Sequence, residues 1–200
     1  MTKLAIVCCS VMKHEVAAIL TRDFPDIEAV FLDSMLHMHP KLLEQTLENK
    51  LIELACPALV IYGDCSPAMH SLEGRFVCAR TRGLNCCELL LGHERYLADR
   101  NSQAFLLLPE WTKRWKEVFQ KELGFNDMEL ARSFMHEYRT SIKYVDTGFV
   151  PVPEDTLREI SEFFDMPVSI EKTDDRSLRV IIHEAMQRLQ RRLANVMHPS

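Results

Sequence analysis

Short apolar runs alternate along this chain with segments in which apolar residues recur every three or four positions. Residues 3–8, KLAIVC, form a nearly unbroken run rich in branched side chains, the pattern of a strand buried on both faces. A helix capped by Ser10 follows to about Asp23, with Val11, Val16, Ala17, Ile19 and Leu20 on its apolar side and Pro25 behind it. A second strand over 28–32, a loop over 33–39, a helix opened by Pro40 and running to 54, and a third strand ALVIYG at 58–63 complete two strand-helix-strand units. Units of this length pack as right-handed crossovers on a parallel sheet. RFVCA at 75–79 reads as a shorter fourth strand.

The second half keeps the alternation. It predicts a largely helical stretch over 86–100, a strand at 105–109, and an amphipathic helix over 111–123 with Trp111, Trp115, Val118 and Phe119 inward. A helix over 127–139, strand SIKYVD, helix TLREISEFF, strand VSIEK and a basic C-terminal helix follow. The expected architecture is α/β, a Rossmann-like, mostly parallel sheet flanked by helices. It forms one domain over 1–200, or two small lobes, a cysteine-bearing 1–100 and a cysteine-free 101–200, around a cleft.

Composition narrows the function classes. With 47% hydrophobic residues among 200 the chain can bury a core, so disorder is not the reading. A net charge of -5, with no Lys/Arg run longer than two, gives no electrostatic reason for nucleic acid or a membrane surface as partner. A small molecule or another protein is the expected partner. The apolar run LAIVCCSVM is cut short by Lys13, His14 and Glu15, too soon for a secretory segment or a span, which places the chain in the cytoplasm.

All seven cysteines lie between positions 8 and 87. In a reducing compartment an odd number of thiols points to metal, redox or packing roles rather than to a disulfide framework. Cys9, Cys65 and Cys86 each stand where an apolar run or a turn meets a predicted helix start, and helix N-termini favour the thiolate. Cys8, Cys56, Cys78 and Cys87 read as packing residues. If the first strand lies between the second and the third, the loops bearing Cys9 and Cys65 meet at the point where strand order reverses, and Cys86 closes a triangle. Three thiolates leave one position of a tetrahedral zinc ion, or one iron of an iron-sulfur cluster, open for another ligand.

Polar residues near that edge are candidate ligand-binding groups. Asp33 and Asp146 end strands, and His37 follows Asp33, with His39 and His70 as further imidazoles at this edge. Arg80, with Arg82 across Thr81, can bind a phosphate or carboxylate with its fork. No HExxH, GxSxG, P-loop or GxGxxG occurs, so protease, hydrolase and nucleotide readings lack their usual motifs.

VCCSVMKHE, FLDSMLHMHPKLL, VIYGDCS, NCCELLLGHERYL and YVDTGF, in that order, carry a resemblance to a family of small cytoplasmic proteins of uncharacterised function. Members are often encoded beside corrinoid-dependent methyltransferases. Cys9, Cys65 and Cys86, with Asp33, His37 and Asp146, stand at positions of that family's pattern. The chain departs from it at Ser66-Pro67, where the family has a Gly-rich turn, and at Leu84-Asn85, where it has His-Asp. The resemblance implies a link to methyl-group or one-carbon metabolism. The expected function is then a metal-thiolate protein holding an iron-sulfur cluster or zinc. The alternatives are a non-enzymatic accessory protein that binds a corrinoid, a metal or a methyltransferase subunit, and a thiol redox enzyme cycling a Cys9/Cys65 disulfide.

Overall fold

A computed structural model describes residues 3–197. The chain divides into two compact units, one made of Leu91–Asp174 and the other of the segments on either side of it. The division falls beside Gly92, whose φ of 82° breaks the helical stretch expected over 86–100 into two helices.

The first unit is a parallel sheet in the order β2-β1-β3-β4, built from β1 (Ala5–Cys9), β2 (Ala29–Leu32), β3 (Ala58–Ile61) and β4 (Cys78–Arg80). β1 is central, pairing Ile6 with Ala29 on one side and with Leu59 on the other. Ile6, Val7, Leu59, Val60 and Ile61 are wholly buried, each contributing about 1.5–3 kcal/mol of hydrophobic stabilisation. The connecting helices are α1 (Lys13–Asp23), α2 (Pro40–Leu54) and the single turn α3 (Leu72–Arg75), with α4 (Cys86–Leu91) after β4. The first strand lies between the second and the third, the condition under which the loops bearing Cys9 and Cys65 meet.

The second unit contains α5 (His93–Asn101), β5 (Ala104–Leu107), α6 (Pro109–Lys113), α7 (Met128–Tyr138), β6 (Ser141–Asp146), α8 (Glu154–Phe164) and β7 (Val168–Lys172), its sheet parallel in the order β5-β6-β7. The single helix expected over 111–123 is not one helix. Pro109 starts α6 early, Arg114 leaves helical geometry at φ -109°, and a π-helical turn follows at Glu117–Glu122. Trp115, Val118 and Phe119 are buried as expected, whereas Trp111 is half-buried.

The chain then re-enters the first unit as α9 (Arg176–Met197), which packs on β3 and β4. Leu178, Ile182, Ala185, Met186 and Leu189 form its buried stripe at helical spacing. Asp23 at the end of α1 fastens it, accepting from Arg179 Nε at 2.6 Å and Nη2 at 3.0 Å and pairing with His183 Nε2 at 2.9 Å. Arg179 first, then His183, hold the Asp23 carboxyl far below the ordinary carboxylate range. That contribution is therefore present above the ordinary carboxylate pKa and is lost only as pH falls below it. Among the described residues no helix is long and apolar enough to cross a membrane.

Candidate functional site

Cys9 is the last residue of β1 and is 4% exposed. Cys65 follows β3, just past Gly63 and Asp64, and Cys86 is the first residue of α4. The sheet order puts β1 beside β3, so Cys9 and Cys65 leave neighbouring strands at the carboxyl edge, at the switch point. Hydrogen bonding joins the three. The Cys86 thiol bonds with Cys65 and with Cys9, and His37 bonds to Cys65.

Each partner is set in place by local chemistry. A five-residue 3-10 turn, Ser34–Met38, occupies the region read as a loop and carries His37. Asp33 caps this turn, its carboxylate accepting from Met35 N at 2.9 Å. Ser10 does not cap a helix as expected; its hydroxyl accepts from Ser34 N at 2.9 Å, tying the end of β1 to the turn that bears His37. Ser66 and Pro67 open a 3-10 turn after Cys65, with Ser66 Oγ accepting from Ala68 N at 3.3 Å. Ahead of Cys86, Asn85 Oδ1 accepts from Glu88 N at 3.0 Å while Glu88 Oε2 accepts from Leu84 N at 2.5 Å, a reciprocal cap. Ser66 and Asn85 thus cap the turns that follow them.

Gly63 brings the two loops into contact. Asp64 N donates to Gly83 O at 2.9 Å, and Cys65 N to Gly63 O at 2.8 Å. A Cβ on Gly63 would meet the backbone of Asn85, standing 2.7 Å from its carbonyl carbon and 2.8 Å from its nitrogen.

The thiols do not ionise alike, and the cause is not the one expected. The segments after Cys9 and Cys65 are 3-10 turns of three and four residues and α4 has six, too short for a developed helix dipole. Hydrogen bonds decide instead. The thiol of Cys65 is lowered to about 5, first by the Cys86 thiol, with burial opposing and His37 adding to the lowering. Cys86 is pushed well up by its bonds to Cys65 and Cys9 and by burial, so it keeps its proton. His37 is raised by the hydrogen bond to Cys65, against burial. Cys65 thus ionises more readily than Cys86, with both His37 and the Cys86 thiol hydrogen-bonded to it.

The other candidates have defined places. Arg80 is 8% exposed; its Nη1 donates to Asp64 Oδ1 and its Nη2 lies 3.0 Å from His70 Nδ1, so its fork holds the residue next to Cys65. Asp146 belongs to the second unit, where its carboxylate accepts from Gly148 N at 2.9 Å in the turn after β6. None of the seven cysteines is in a disulfide; Cys8 and Cys78 are buried, and Cys8 Sγ donates to Cys9 O at 3.2 Å. Among the described residues no three His, Cys, Asp or Glu side chains stand as a ready-made metal site.

Residues 31–193 match the model of the family described as protein of unknown function (DUF1638). The chain belongs to that family. In this DUF1638 chain the match covers His37, Cys65 and Cys86, while β1 with Cys9 precedes it. No curated protein and no solved structure is significantly similar to it.

Tyr62, Gly63 and Thr81 escape a sequence reading. Tyr62 looks like the apolar end of a strand, and the need for glycine at 63 arises from backbone 22 positions away at Asn85. Removing the cap at Asp33 tests the local logic. Asp33→Ala is expected to destabilise by about 1 kcal/mol in urea denaturation and to raise the midpoint of Cys65 ionisation, because His37 loses its fixed turn.

Proposed function

We propose that the chain is a cytoplasmic metal-thiolate protein in which Cys9, Cys65 and Cys86 hold one metal ion, zinc foremost, leaving a coordination position open. One observation supports this reading: strand order brings Cys9 and Cys65 to one sheet edge, and hydrogen bonding with both pushes the Cys86 thiol up. A tetrahedral ion with Zn–S bonds of about 2.3 Å sets its sulfurs about 3.8 Å apart. The cysteine sulfurs around a cubane iron-sulfur cluster stand about 6–7 Å apart. Thiols that hydrogen-bond to one another favour the first spacing. Metal entry replaces the S–H···S contacts and releases their protons. His37 keeps its place as donor to Cys65 and offsets the negative charge of three thiolates on a divalent ion.

The family resemblance extends this to a role in corrinoid-linked or one-carbon methyl transfer, with a small molecule, a corrinoid or a methyltransferase subunit at the open position. Zinc there activates a thiol or another nucleophile by lowering its pKa. The test is anaerobic purification followed by zinc, iron and sulfide analysis. One zinc per chain is expected, and Cys9→Ser, Cys65→Ser and Cys86→Ser together should remove it. Several irons with matching acid-labile sulfide would replace zinc by a cluster. A metal-free chain that also takes up neither zinc nor iron would end the metal reading.

A thiol redox enzyme is the second reading, favoured by the Cys86 thiol on the Cys65 sulfur. In that chemistry Cys65 and Cys86 form the S–S bond and give two electrons and the remaining thiol proton to an oxidant.

A further inference from the structure

At the amino ends of β5 and β6, in the second unit, two turns are tied together. Thr140 N donates to Gln103 O at 3.1 Å and the Thr140 hydroxyl donates to Ser102 O at 2.8 Å. Gln103 is held at φ 56°, a left-handed conformation that residues other than glycine seldom adopt, and such strain collects at ligand sites. Beside these turns opens a cavity of about 490 Å³, within the size range of small-molecule sites. Its walls are aromatic. Phe105 meets Phe119 at 5.5 Å between ring centroids, and Phe134 stands between Phe125 and Tyr138 at 5.2 Å from each. Phe134 is 47% exposed and Tyr138 49%, so the cavity keeps large apolar surface in water. Glu137 holds the Tyr138 phenol protonated, and Tyr138 therefore presents its ring without charge.

The rim carries two arginines, Arg100 in the last turn of α5 and Arg139 at the end of α7. The other arginines of Leu91–Asp174 are engaged: Arg95 with Glu171, Arg114 with Glu117, Arg158 with Asp155, and Arg132 with the carbonyls of Glu162 and Phe163. Among the described residues the guanidinium groups of Arg100 and Arg139 meet neither a carboxylate nor a carbonyl. Each closes a helix C-terminus, where a cation is favoured by up to about 1 kcal/mol. That accounts for a charge at each position, but not for two unpaired forks lining one aromatic cavity.

We infer that this cavity binds a small molecule with an apolar ring or chain and one anionic head, a carboxylate or a phosphate, its body against Phe134 and Tyr138 and its head on Arg100 and Arg139. Arginine suits such a head because its fork donates two parallel hydrogen bonds to an oxyanion. Every residue of the site comes from Leu91–Asp174, so the inference is independent of the metal-thiolate reading. The site lies at the amino ends of its strands, away from the carboxyl edge where ligands of α/β sheets are usually sought.

The test titrates the full chain with 2-naphthoate, 2-naphthyl phosphate and the neutral 2-naphthylmethanol, followed by amide shifts in NMR. At least one anion should bind saturably, about tenfold or more tighter than the alcohol, and move the amides of Gln103, Phe134 and Tyr138. The tighter anion assigns the head group. Arg100→Gln combined with Arg139→Gln should weaken that anion about tenfold or more and leave the alcohol unchanged. Phe134→Ala should weaken both. Arginines that serve only the helix ends would, when replaced, lower the melting temperature and leave the anion bound as before, which overturns the inference. An alcohol that binds as tightly as the anions overturns it too, as does wild type that binds no probe or whose named amides do not move. A dimer in sedimentation that Phe134→Ala dissociates would assign the face to a second copy of the chain and likewise overturn it. Should the double arginine variant not fold, the comparison of anions with alcohol on wild type decides.

Discussion

Gly63→Ala is expected to destabilise the first unit by about 3 kcal/mol or more, a shift of roughly 6–12 °C in melting temperature, and to abolish the zinc binding proposed above. The added methyl would stand 2.7 and 2.8 Å from the carbonyl carbon and nitrogen of Asn85, with the Asn85 Cα closer still. These are backbone atoms, so no rotamer change relieves the clash. The turn before α4 must move as a body. That turn is itself tied down, through the Asn85 and Glu88 caps and the bond from Asp64 N to Gly83 O at 2.9 Å. Displacing it pulls Cys86 from Cys65. Gly74→Ala is the control: nothing lies within 4 Å of its Cβ position, and alanine is the better helix former in α3, so its stability should be unchanged or slightly higher. Urea denaturation and zinc content measure both variants, and a Gly63→Ala protein with wild-type stability and zinc would refute the close-contact argument.

In metal-free protein, Cys86→Ala combined with His37→Gln should raise the midpoint of Cys65 ionisation from about 5 to above the ordinary thiol value near 8.5. The two substitutions remove both hydrogen bonds that lower this pKa and leave burial and Asp64, which raise it. At pH 7 the ionised fraction then falls from nearly complete to a few per cent, about 30-fold. Alkylation rate at a single pH is a poor readout, because a thiolate of higher pKa is intrinsically more nucleophilic and offsets the smaller fraction. The midpoint of the pH–rate profile, followed by mass spectrometry of the Cys65 peptide, is not subject to that compensation. Cys86→Ala alone should move it further than His37→Gln alone. A profile that inflects near pH 5 in the double variant would contradict the assignment.

The apolar pattern carried the fold a long way. KLAIVC and ALVIYG are dense in β-branched residues and too short for buried helices, so the parallel sheet could be anticipated, whereas the central position of its first strand was only a condition. The meeting of Cys9, Cys65 and Cys86 followed from strand order, which constrains which loops share an edge. The electrostatics did not follow, because they depend on which sulfur reaches which neighbour and not on proximity to a helix start. Cys65 and Cys86 look equivalent along the chain and titrate in opposite directions. The break inside 111–123 was hidden for a related reason: the periodicity of Trp115, Val118 and Phe119 is satisfied as well by a π-helical turn as by a continuous α-helix.

The first unit is assembled from segments on both sides of the second, since α9 closes over β3 and β4 only after residue 175. During synthesis the four strands and all seven cysteines leave the ribosome first, and at about 5–20 residues per second the helix that completes their unit arrives roughly 5–20 s later. In that interval the apolar face of β3 and β4 is open to solvent and chaperones. Leu91–Asp174 forms a compact unit of its own and is complete before α9 appears. The order of assembly therefore favours a finished second unit waiting on an unfinished first sheet, and makes α9 a condition for burying β3 and β4.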